Sequence, residues 1–137
     1  MISKELLSEV LGVEVKYLET DIKKINDNIN ATIQGGSIAY YVVDEWKYIN
    51  IYELASKCKE LALKNDWVIK TSIYGVNKIA EAEIFNGVSF HIFEACTEPE
   101  AVFNAITYIM EQLNVKEAKD VARIQIRQKK LQNSGKN

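Results

Sequence analysis

The sequence predicts an α+β protein: an antiparallel sheet with helices mainly on one face, in two layers, followed by a basic C-terminal helix. Three observations predict it. Short segments alternate apolar with polar residues at strand period, among them Val13 to Tyr17 and the residues on either side of Phe85-Asn86-Gly87. Two capping boxes, Asn50-Ile51-Tyr52-Glu53 and Thr97-Glu98-Pro99-Glu100, each open a segment with apolar residues at helical spacing. Charge is segregated: residues 116–137 hold seven basic and two acidic side chains, against ten and seventeen in residues 1–115. Both arginines, Arg123 and Arg127, fall in that tail. Residues 1–115 therefore read as a single α+β domain and 116–137 as a basic helical tail.

Ser3 caps a short helix whose stripe is Leu6, Leu7, Val10 and Leu11, and Gly12 suits its left-handed stop. Val13 to Tyr17 is a half-buried strand. Across residues 20–34, Ile22, Ile25, Ile29 and Ile33 recur at helical spacing, so a helix is expected. The β-branched isoleucines and Asn26, Asn28 and Asn30 keep a strand open as the alternative. Ile38 to Val43 is a strand by β-propensity, and Asp44 to Tyr48 a loop or strand end. The helix capped by Asn50 runs to about Lys64 and buries Ile51, Leu54, Ala55, Cys58, Leu61 and Ala62. Asn65-Asp66 breaks it. Trp67 to Tyr74 is a strand with Trp67, Ile69, Thr71 and Ile73 on one face, and Gly75 to Lys78 turns the chain.

The next hairpin has two candidate registers. A two-residue Asn86-Gly87 turn sets Glu83 opposite Phe90 and mixes charge with core. A three-residue Phe85-Asn86-Gly87 loop pairs Ile84 with Val88. That puts Ala80, Ala82, Ile84, Val88, Phe90 and Ile92 on one face, and Glu81, Glu83, Ser89, His91 and Phe93 on the other. The amphipathic criterion selects the second register, with Phe90 buried and Glu81 beside His91. The helix opened by Thr97 carries Val102, Ala105, Ile106, Ile109, Met110 and Leu113 on one face. Asn114 to Glu117 starts a further helix or lies inside a longer one. Val121, Ile124 and Leu131 give the tail a thin apolar stripe, and residues 132–137 are expected to fray.

Apolar residues make up 47% and charged residues 26%, which excludes a disordered or collagen-like chain. No apolar run is long enough to span a bilayer. The sequence starts Met1-Ile2-Ser3-Lys4-Glu5, without the basic and apolar regions of a secretory leader. Cys58 and Cys96 form no C-x-x-C pair and read as reduced, buried thiols, so a cytoplasmic protein is expected.

His91 is the single histidine. With Ser89 and Glu81 on the same strand face it has the elements of a hydrolytic triad. A flat ribbon offers no cleft, strained turn or oxyanion site, so a non-catalytic protein is expected. One histidine and two distant cysteines make no zinc site, and the Gly35-Gly36 pair belongs to no phosphate loop, so no cofactor or metal is expected. Two groups remain as candidate partner-binding residues. Tyr40, Tyr41, Trp46 and Tyr48 belong to an aromatic segment of the kind enriched at interfaces, although alternation assigns about half of its rings to the core. Arg123, Arg127, Lys129 and Lys130 suit an anionic surface, either protein (the chain's own body, or a second subunit in a homo-oligomer formed through the C-terminal helix) or, less favoured, nucleic acid.

The helix opening Asn50-Ile51-Tyr52-Glu53-Leu54-Ala55, the hairpin Phe85-Asn86-Gly87-Val88-Ser89-Phe90-His91 and the helix start Thr97-Glu98-Pro99-Glu100-Ala101 share a layout over residues 50–113. That layout resembles the small phage and prophage proteins of the phage αβα sandwich domain. The resemblance implies a viral or mobile-element protein at work in the cytoplasm of a bacterial host. Its implied function is to bind a bacterial host protein, including as an anti-defence inhibitor of the anti-CRISPR kind. The alternative is a nucleic-acid-associated accessory protein acting through the basic tail.

Overall fold

The computed structural model describes residues 2–19, 36–75 and 78–134, with side chains as far as residue 130. The helix expected over 20–34 lies outside the described residues. The chain divides into two units, Met1–Thr107 and Tyr108–Asn137.

In the first unit, α1 (Lys4–Leu11) starts where the Ser3 hydroxyl accepts from the Leu6 N–H at 3.2 Å, and stops at left-handed Gly12. Three strands follow, β1 (Tyr17–Leu18), β2 (Ser37–Val42) and β3 (Glu45–Asn50), forming an antiparallel sheet in the order β1-β2-β3. The segment expected to be a loop or strand end is thus mostly strand. Val42 pairs with Glu45 across a tight turn, in which Val43 takes a φ of 58°. That is an unfavourable conformation for a β-branched residue.

Asn50 ends β3 and at once caps α2 (Ile51–Lys64), its Oδ1 accepting from the Tyr52 N–H at 2.8 Å and the Glu53 N–H at 3.4 Å. Leu54, Ala55, Cys58 and Ala62 of α2 are buried, as their spacing predicts. A second antiparallel sheet, in the order β4-β5-β6, is built from β4 (Val68–Tyr74), β5 (Ile79–Phe85) and β6 (Phe90–Ala95). The α+β class and the C-terminal helix are as the sequence predicts, with the described strands divided between two sheets of three. Lys59 of α2 donates to the Thr71 hydroxyl at 3.1 Å, which lays the helix over the face of β4–β6 bearing Ile69, Ala82 and Ile84. Those three are buried, and alanine at positions 80 and 82 leaves room for close approach.

The β5–β6 register differs from the sequence expectation. Phe85 pairs with Phe90, Ile84 with His91, Glu83 with Ile92 and Glu81 with Glu94. The loop has four residues, Asn86 to Ser89. It is held by the Asn86 carboxamide oxygen, which accepts from the Val88 N–H at 2.9 Å and the Ser89 N–H at 2.6 Å, with Gly87 at a φ of 93°. Phe90 is consequently 55% exposed rather than buried. His91 and Glu81 lie on opposite faces of the ribbon instead of side by side.

The helix α3 (Glu98–Ser134) begins where the Thr97 hydroxyl accepts from the Glu100 N–H at 3.4 Å, with Pro99 in its first turn. It is continuous, so Asn114 to Glu117 lie inside it. Ala101, Val102, Phe103, Ala105 and Ile106 are buried. Glu98, Pro99 and Val102 border the same small cavity as Tyr52, Ala55 and Lys59, so the start of α3 lies beside α2. In the second unit, each residue from Asn114 to Lys130 is exposed.

Candidate protein-binding surface

Strand alternation splits the aromatic segment. Tyr40 points to the same face as Ile38 and Val42 and is 9% exposed, in the core with Leu18 and Ile49. It also lines a pocket of about 260 Å3 bordered by Lys47, Glu53 and Lys57. Tyr41 points the opposite way. There it meets Trp46 across the β2–β3 ladder, ring centroids 5.3 Å apart at 63°, and Tyr17 across the β1–β2 ladder, 5.9 Å apart at 45°.

Tyr17, Tyr41 and Trp46 therefore form one row of rings across all three strands. Tyr48 stands on the same face, opposite buried Ala39. Trp46 is 42% exposed, Tyr17 56% and Tyr48 71%, while Tyr41 in the middle is half-buried by its neighbours. The Tyr41–Trp46 pair is edge-to-face and the Tyr17–Tyr41 pair tilted. Aromatic pairs at such separations are worth about 0.5–1.5 kcal/mol each, which favours this arrangement of the rings before any partner arrives. Glu45 and Lys47 form an exposed ion pair at 3.6 Å. Lys16, beside Tyr17, donates its backbone N–H to the Tyr41 carbonyl at 2.9 Å and its Nζ to the Val43 carbonyl at 3.5 Å.

Of the aromatic candidates, the structure brings together Tyr41, Trp46 and Tyr48 and assigns Tyr40 to the core. Tyr17 belongs to the row although the sequence marks it only as a strand residue. Its membership depends on pairing with residues more than twenty positions away, which no local pattern encodes. Arg123, Arg127, Lys129 and Lys130 are exposed on α3, where Arg123, Arg127 and Lys130 recur at spacings of four and three and share a stripe.

The elements of the hydrolytic triad are not assembled, because β6 turns His91 away from Glu81. Glu81 is instead held above its ordinary carboxylate value by partial loss of hydration, by the charges of Glu94 and Glu83, and by a hydrogen bond to Glu94. Burial pushes the Cys58 thiol up to about 12, which leaves it a packing group, whereas Cys96 is exposed rather than buried. Among the described residues, no group of three His, Cys, Asp or Glu side chains is placed to hold a metal ion, and no helix is long and apolar enough to cross a membrane.

No family model, curated protein or solved structure matches this chain. Its class rests on what the chain itself displays: an α+β protein presenting a row of partly solvent-facing aromatic rings on one sheet.

Proposed function

We propose that the protein is a non-catalytic binding protein whose partner docks on the aromatic face of β1–β3. One observation carries this reading: Tyr17, Tyr41, Trp46 and Tyr48 share one sheet face, three of them in ring-to-ring contact and three substantially exposed. Tyrosine and tryptophan give large contact area at low entropic cost, and binding energy concentrates on such residues. The resemblance in layout to phage αβα sandwich proteins supports a bacterial host protein as the partner, with inhibition of a defence component as the outcome.

The test is affinity capture from bacterial lysate with the native chain and with a Trp46→Ser, Tyr48→Ser double variant. Both side chains are partly solvent-facing, so circular dichroism should show the variant folded. A protein retained by the native chain and lost from the variant is the expected result. Identical captured sets would overturn the assignment of the aromatic face.

A further inference from the structure

The register of the second sheet creates an apolar surface of its own. On the face turned away from α2, Val68, Phe85 and Phe90 lie side by side across the three strands, with Ile92 in the next row. All four are 49–55% exposed. The same face carries Glu83, with Lys70 and Ile92 as its cross-strand neighbours, and Glu81 between Ser72 and Glu94. Three carboxylates against one ammonium make this an apolar face with net negative charge. Glu81 and Glu94 stand directly opposed, so their like charges repel unless a shared proton or a cation brought by a partner offsets them.

The basic helix has the complementary character. Arg123, Arg127 and Lys130 form a stripe with Lys116 and Lys119, and Val115, Ala122 and Ile126 border it at spacings of seven and four. Val115 and Ile126 are 49% and 54% exposed. A helix with so little of its own surface buried gains little stability from packing, and a partner would supply it. The sizes also agree. Residues 115–130 extend about 24 Å as helix, and a seven-residue strand extends about 23 Å.

We propose that the exposed face of β4–β6 receives the basic helix of a second copy of this chain. Apolar Val115, Ala122 and Ile126 meet the Val68, Phe85, Phe90 and Ile92 surface, and the arginines reach Glu81, Glu83 and Glu94. Reciprocal exchange makes the interface twice and closes a two-fold dimer. This surface is separate from the aromatic face of β1–β3, so the two can fail or hold independently.

Sedimentation velocity on the full chain over a concentration and salt series tests it. The expected result is a dimer that dissociates on dilution and weakens by about tenfold or more at high salt. Arg123→Glu with Arg127→Glu should weaken it by a similar factor, as should Phe90→Ser with Ile92→Ser in a chain that circular dichroism shows folded. Glu81→Arg with Glu83→Arg should also abolish the homodimer. Mixing that chain with the Arg123→Glu, Arg127→Glu chain should restore association, because each sheet then meets a tail of opposite charge. A monomer at every concentration, a dimer indifferent to both surfaces, or a mixture that stays monomeric overturns the proposal. So does a tail reversal that removes salt-sensitive DNA binding and leaves sedimentation unchanged.

Discussion

Replacing Phe90 and Ile84 separately by alanine discriminates between the observed hairpin register and the one the amphipathic criterion selects. Ile84 is fully buried, so its truncation leaves a cavity and should cost about 2–5 kcal/mol. Phe90 is 55% exposed, so a little under half of its surface is out of water. An aromatic side chain buries roughly 200 Å2 when fully enclosed. The corresponding fraction, at roughly 25 cal/mol per Å2, gives about 2 kcal/mol as an upper bound. Had Phe90 been enclosed as the amphipathic criterion expects, its truncation would cost about 3–5 kcal/mol. Urea unfolding followed by tryptophan fluorescence is a suitable assay, because Trp67 is buried and should report loss of the core. A Phe90→Ala loss of about 3 kcal/mol or more would refute the observed register.

Val43→Gly should raise stability by about 1 kcal/mol, read as a higher unfolding midpoint, because glycine tolerates the left-handed φ that valine resists. Glu81 binds its proton more tightly folded than unfolded, so stability should fall as pH rises from the ordinary carboxylate range through the raised value. Glu81→Gln should flatten that slope in a thermal-melt series. A thiol reagent should label Cys96 at once and Cys58 only on unfolding; equal rates in the folded protein would contradict the packing around Cys58.

Local features were legible in the sequence because neighbouring residues specify them. Ser3, Asn50 and Thr97 cap helices from within three positions, and the buried stripe of α2 follows from helical period alone. Pairing across strands was less legible. β6 is apolar on both faces, with Phe90 and Ile92 on one and Phe93 and Ala95 on the other, so alternation does not fix which face is covered. The four-residue loop organised by Asn86 selects the register, and the result leaves Phe90 and Ile92 in solvent. In the aromatic segment, alternation correctly implied that adjacent tyrosines separate, but which of Tyr40 and Tyr41 turns inward depends on the packing of the sheet. The tail's charge segregation was readable from composition, whereas the bordering apolar positions Val115 and Ile126 emerge once the helix is seen to be continuous.

Each sheet is assembled from described strands taken in chain order, β1-β2-β3 and then β4-β5-β6, with α2 between the two sets. The consequence is kinetic. The β2–β3, β4–β5 and β5–β6 ladders close across short loops, so little chain entropy is lost before the first contacts form. Among the described strands, only the β1–β2 pair must gather a longer intervening segment. Folding should therefore be quick for a protein rich in strands, with the β4–β6 meander able to form early and β1 joining last. Tyr17, carried on β1, would then complete the aromatic row only in the final step.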